Sequence, residues 1–206
     1  VGVDLGQRQD YTAITVLDRS VYNIGRDPVW LGMKTETLYA IRFLRRLPLG
    51  TPYTEVVETV GALVDQLNSR QPLSPPTVVA DATGVGAPVM EMFRNMRMPG
   101  ELKPVLITGG EKAVFDGVWK VPKRDLIAGV QLMLEHGELT MAKNMEYAAE
   151  LAKEMVSMRV RVTGSMNELY TPWRERDHDD LVLAVALACW WAKRPAYSLF
   201  GSERLF

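Results

Sequence analysis

TVVADATGVG, residues 77–86, is a short apolar, β-branched run that ends on an acid and then on two closely spaced glycines. It is too short for a helix and is continuous rather than alternating, the pattern of a strand buried on both faces of a parallel sheet, and Gly84 and Gly86 then turn the chain. On its C-terminal side the spacing predicts a helix over 86–97, another buried strand at KPVLIT (103–108), and a helix opened by Pro122 and stopped by Gly137. That helix carries Leu126, Ile127, Val130, Met133 and Leu134 on one face. On its N-terminal side PLSPP (72–76) forbids helix, and before it Thr54 is placed to cap a helix whose Val56, Val60, Leu63, Val64 and Leu67 share a face. Farther back, VGVDL (1–5) and TAITVLD (12–18) read as a hairpin through GQRQDY, residues 19–33 as an exposed excursion, and TLYAIRFLRRL (37–47) as a third strand. Toward the other end come a helix through Ala148, Leu151, Ala152, Met155 and Val156, small strands near 159–162 and 168–170, and an apolar helix from about His178. Antiparallel strands followed by alternating strands and helices predict an α/β fold: a mixed sheet of the five-stranded type with helices on both faces.

Composition narrows the function. The chain has 206 residues, 47% hydrophobic and 24% charged, enough for one domain with a real core. One Cys, at position 189, and two His exclude both a disulfide framework and a four-ligand structural zinc site. The longest apolar run, LVLAVALACWW (181–191), is 11 residues against the roughly 20 that cross a bilayer, so it reads as a buried helix and no membrane is implied. A net charge of −1 gives no global pull on a polyanion, so DNA would have to be held by a local basic patch or through metal ions.

The acids carry the chemistry. Asp4 ends an apolar strand, Asp81 ends a second, and Asp179 with Asp180 opens a helix that is otherwise nearly all apolar. Any one of them could be a turn former or a helix cap, and Asp179 and Asp180 also suit the positive end of a helix dipole. All of them, however, abut buried apolar segments, where an ionised carboxylate must be paired or bound to metal. Ligands of α/β sheets gather at the carboxyl ends of strands, and hard oxygen donors with few His and no usable Cys select Mg²⁺ or Mn²⁺.

VGVDLG, VVADATGVG and HDDLVLAVALA, in that order, together with VPKRDLIAGVQLML, resemble the nuclease domain of the large subunit of tailed-phage DNA-packaging terminases, of the ribonuclease H-like superfamily. The resemblance covers most of residues 1–192 and leaves 193–206 as a tail. It implies a Mg²⁺- or Mn²⁺-dependent endonuclease that cuts double-stranded concatemeric DNA during genome packaging with two cations. Asp4, Asp81 and Asp179 would be the catalytic ligands, and Asp180 and Asp10 accessory acids near the second metal. It implies as partners an ATPase motor domain, a terminase small subunit and a portal, and as location the cytoplasm of an infected bacterium. No G-x-x-x-x-G-K-[ST] is present, and GGEKA (109–113) has neither the spacing nor the hydroxyl, so the motor is not in this sequence. The opening on VGVDLG reads as a strand missing its first half, as in a domain cut from something larger.

Basic residues near the motifs are candidates for tracking the DNA backbone: Lys120, Lys123 and Arg124 ahead of and within the Pro122 helix, which should share a sheet edge with the acids, and Arg8, with Lys112, Arg174 and Arg176 farther off. His178 is a candidate near the site and His136 a helix C-terminal cap; Trp119 and Trp173 read as core. Two other readings keep part of this pattern. A Holliday-junction resolvase or transposase core would share the chemistry and change the substrate. An actin-like or sugar-kinase ATPase would share the first loop, but it needs two copies of the core, and the chain has room for one.

Overall fold

The computed structural model describes residues 1–6, 10–26, 32–84, 86–162, 168–172 and 178–194. Strand β1 (Gly2–Asp4) lies antiparallel to β2 (Ala13–Arg26), with Asp4 opposite Ala13, and β2 lies antiparallel to β3 (Met33–Arg46). Helix α1 (Tyr53–Arg70) leads to β4 (Thr77–Asp81), which returns parallel to β1 with Ala80 beside Val3. Helix α2 (Gly86–Asn95) then leads to β5 (Glu101–Thr108), parallel to β4. Two short strands, β6 (Val114–Asp116) and β7 (Val118–Pro122), precede α3 (Lys123–Glu135), β8 (Leu139–Met141) and α4 (Ala148–Ser157). Strands β9 (Met158–Val162) and β10 (Glu168–Pro172) pair only with each other, and α5 (Asp180–Ala192) closes the fold.

The main sheet runs β6-β7-β5-β4-β1-β2-β3-β8. Its middle, β3-β2-β1-β4-β5, is the mixed five-stranded sheet expected, antiparallel on one side of β1 and parallel on the other; β7 and β6 extend one edge and β8 the other. Side chains alternate across it. Val3, Ile14, Val78 and Ala80 face α1 and α2, which cover them with Val56, Val60, Val64, Val89, Met90 and Phe93. Ala13, Val79, Val105 and Val121 face the other way, toward α3, α4 and α5. Helix α5 is buried from Asp180 through Cys189, so it is apolar all round rather than striped. It lies hard against β1: a Cβ on Gly2 would stand 2.0 Å from the Ala184 carbonyl oxygen.

Several local expectations change. Residues 19–26 are not an excursion, since β2 continues to Arg26, and β3 starts at Met33; residues 27–31 lie outside the described residues. The Asn and Gly that read as turn signals sit at a register shift between Asn23 and Gly25, with Gly25 at φ 130°, inside a ribbon that is exposed on both faces. Thr54 does not cap α1; Pro52 precedes the first turn, its ring holding φ at −61°, and no side chain caps the helix. The stretch before α3 is strand β7 rather than loop, with its proline tolerated at the very end. Strands of three residues such as β6 and β8 carry too little periodicity to be read from sequence.

Candidate metal centre

Period-two alternation fixes where the first two acids point. Because Val3 and Ala80 face α1 and α2, their neighbours Asp4 and Asp81 face α5, at the carboxyl ends of two adjacent parallel strands. Asp179 and Asp180 stand at the N-terminus of α5 on that same side, Asp179 in the cap position and Asp180 in the first turn. Asp4 and Asp81 are each 8% exposed and Asp180 2%, so three of the four carboxyls are taken out of water. Burial, then the charges of Asp81, Asp179 and Asp180, push the Asp4 carboxyl well above the usual carboxylate range, with Lys123 pulling it back. Asp81 is raised by burial and held down by hydrogen bonds with Thr83 and Asp4; its Oδ1 accepts the Thr83 backbone N–H at 2.8 Å. Both Asp4 and Asp81 thus hold their protons more tightly than a solvated carboxyl does.

Two cations belong to this cluster. Lys123, the first residue of α3, donates from Nζ to Asp179 Oδ2. Arg46, the last residue of β3, donates from Nε to Asp180 Oδ2 at 2.7 Å and from Nη2 to Glu154 Oε1. Glu154 Oε2 in turn accepts the Val182 backbone N–H at 3.0 Å, so a residue of α4 caps α5 and neither Asp179 nor Asp180 is spent on capping. The other oxygen of Asp180, Oδ1, is buried and has no hydrogen-bond partner among the described residues. Sequence reasoning missed Glu154. Its signal was an acid one helical turn after Leu151, on the face that packs inward.

No family model matches the chain, and no curated protein matches it. Solved structures do. The large terminase nuclease from thermophilic phage G20c aligns with 91% of this chain and 78% of its own at 21% identity and a TM-score of 0.58; its magnesium-bound form gives 23% and 0.61. The manganese-soaked human cytomegalovirus terminase nuclease domain aligns with 96% of this chain and 84% of its own at 11% identity and a TM-score of 0.53. The chain has the ribonuclease H-like fold of terminase nucleases. Within the terminase-nuclease fold the donor set fits a hard divalent cation: carboxylates raised by burial, Asp4 also by the neighbouring acids, and one buried carboxylate oxygen left unpartnered among the described residues. Among the described residues no three His, Cys, Asp or Glu side chains already form a cage, because Asp179 and Asp180 are turned to Lys123 and Arg46.

The remaining candidates spread out on this terminase-type scaffold. Asp10 is exposed, and the leading charges on Asp4 come from Asp81, Asp179, Asp180 and Lys123 rather than from it. Of the basic residues proposed from sequence, Lys123 reaches the acids, whereas Lys120 pairs with Asp116 at 3.0 Å and Arg124 donates to the Glu111 carbonyl. His178 packs edge-on against Tyr11, with centroids 4.8 Å apart, and His136 is the C-cap of α3. Arg8, Trp173, Arg174, Arg176 and residues 195–206 lie outside the described residues.

Burial and the charges of Asp180 and Asp179 also raise the Glu154 carboxyl from 4.5 to about 8. An acid raised on folding binds more protons folded than unfolded, so its contribution is present at low pH and is lost as pH climbs through the raised value. Without divalent cations, thermal stability should fall between about pH 4.5 and 8, and Glu154→Gln should flatten that fall. Melting temperatures across this range, taken in chelator, check it; an equally steep fall in the variant would show that other groups set the slope.

Proposed function

We propose that this chain is a Mg²⁺- or Mn²⁺-dependent endonuclease that hydrolyses phosphodiester bonds of double-stranded viral DNA during genome packaging. The observation that carries it is the meeting of Asp4 and Asp81, at the ends of adjacent parallel strands, with the acid pair that opens α5. Asp4, between its neighbours, would bridge the cations, with Asp81 and the α5 pair completing the donor set and Asp10 at the margin. When bound, two such cations lower the pKa of an attacking water, neutralise the scissile phosphate and stabilise the departing 3′ oxygen. The chain supplies the rest. Lys123 can turn from Asp179 to a phosphate, and Lys120, Arg124 and Arg8 would follow the backbone.

On this reading residues 1–192 are the nuclease domain and 193–206 a tail. In the full-length protein an ATPase motor, a small subunit and a portal would be its partners, in the cytoplasm of an infected bacterium. Among the described residues no helix is long and apolar enough to cross a membrane. The fold and the magnesium-bound and manganese-soaked forms of its structural neighbours support the reading.

Supercoiled plasmid incubated with the chain, with and without Mn²⁺, tests it. Nicked and linear products should form only with the cation, Mg²⁺ should substitute, and Ca²⁺ should support little, because its larger radius and looser coordination misplace the water. Equal cleavage in chelator would end the proposal. Cutting should show weak sequence preference and fade steeply with salt, since phosphate contacts dominate; a sharply defined cut site at moderate salt would turn the assignment toward a resolvase. ATP hydrolysis should stay at background for want of a Gly-Lys phosphate loop, and measurable turnover would revive the actin-like reading.

A further inference from the structure

Asp180 Oδ1 is a buried carboxylate oxygen without a hydrogen-bond partner among the described residues, while its Oδ2 is tightly held. Such an atom costs free energy unless something meets it when the protein works. The groups that hold the other oxygen form a continuous network. Arg46 uses two different nitrogens on two acids, Nε on Asp180 and Nη2 on Glu154, a fork that lysine cannot reproduce. Its guanidinium lies 4.9 Å from the centre of the Tyr11 ring, which itself packs edge-on against His178. Glu154 fastens the same network to the helix itself through the Val182 N–H. Asp180 is thus tied to β3 by Arg46, and the first turn of α5 is tied to α4 by Glu154, from two elements that carry none of the candidate ligands.

We propose that Arg46 and Glu154 are positioning residues: they bind no cation themselves, and by clamping Asp180 through Oδ2 and holding the first turn of α5 they present Oδ1 to the divalent cation. This rests on the nuclease reading above and adds to it a support from β3 and α4. It also makes Asp180 the ligand that α5 contributes, with Asp179, on its half-buried ion pair with Lys123, the accessory acid. That reverses the order that the family resemblance implied. A salt bridge that merely stabilised the fold would give no reason for one carboxylate oxygen to be held and the other left bare.

The test is Mn²⁺ binding by calorimetry on the whole chain, beside melting temperature in chelator and plasmid cleavage. Arg46→Lys keeps the charge and so the local field, but cannot bridge both acids. Removing such an outer support typically weakens metal binding ~10–100-fold. Arg46→Lys should therefore bind Mn²⁺ at least about tenfold more weakly, with kcat lowered and KM for DNA unchanged. Glu154→Gln should weaken Mn²⁺ binding likewise while its melting temperature in chelator holds or rises, which a purely structural role would not produce. If Arg46→Lys is folded and binds Mn²⁺ within about twofold of the parent, the proposal is overturned. Should that variant fail to fold, the isosteric pair decides: Asp180→Asn must lose Mn²⁺ affinity and Asp179→Asn must largely keep it, and the opposite result overturns the proposal. Asp4→Asn separates the two layers of argument. Intact Mn²⁺ binding in Asp4→Asn removes the metal-centre reading itself, whereas lost binding there with normal binding in Arg46→Lys removes only the clamp.

Discussion

Asp4→Asn should cut plasmid cleavage by ~10³-fold or more while the protein stays folded, because several kcal/mol of charge stabilisation are removed from the transition state and each ~1.4 kcal/mol is a factor of ten in rate. The substitution is nearly isosteric with the protonated acid that burial and repulsion favour in the cation-free protein. Circular dichroism should therefore be unchanged, and the melting temperature in chelator equal to or above that of the parent. Mn²⁺ should raise the parent's melting temperature and leave that of Asp4→Asn where it was, since only the form that binds gains the linkage term. Near-normal nicking by Asp4→Asn would remove Asp4 from catalysis, and a collapsed fold would show that the acid serves packing. Asp81→Asn should behave alike, being buried to the same extent on the adjacent strand.

The second large effect is on stability. Gly2→Ala places a methyl 2.0 Å from the Ala184 carbonyl oxygen and 3.0 Å from the Ala188 side chain, contacts that neither rigid element can absorb by a rotamer change. Overpacking of this kind costs ~1–3 kcal/mol, which for a chain of this size lowers the melting temperature by roughly 2–12 °C. Because the only relief is for α5 to lift from β1, the variant should also bind Mn²⁺ more weakly, its acid pair having moved from Asp4. Differential scanning calorimetry and Mn²⁺ titration read both, and a variant with unchanged melting temperature would mean that α5 shifts freely on the sheet.

Much of this was legible in the residues. TVVAD declared a doubly buried strand ending on an acid and VGVDL an apolar strand with another, so both strand-borne candidates were visible at strand ends, while the parallel pairing that makes the two strands neighbours was not. The acid pair before LVLAVALACWW was equally visible, because an all-apolar helix has to be buried and so brings its first turn with it. What stayed hidden was pairing at a distance. Nothing local says that Arg46, read as the basic end of a strand, reaches Asp180 and Glu154, which lie 134 and 108 residues away along the chain. The long exposed ribbon of β2 and β3 was hidden for the opposite reason: wet on both faces, it carries no burial pattern, and its irregularity imitates a turn.

Helix α5, threaded against β1 at Gly2 and buried on every side, has a consequence for synthesis. The chain is made from the N-terminus at about 5–20 residues per second, so Asp4 and Asp81 exist as a naked pair of acids for the whole interval before residue 180 is added and clears the ribosome. Until then the face of β1 that α5 covers has no partner, the cap that Glu154 provides has nothing to receive it, and half of the donor set is still unmade. On the proposed function, an unfinished chain would lack the site with which to cut the genome of the cell translating it. Ribosome-stalled chains of increasing length should gain both protease resistance and Mn²⁺-dependent nicking in a single step, once α5 is outside the exit tunnel.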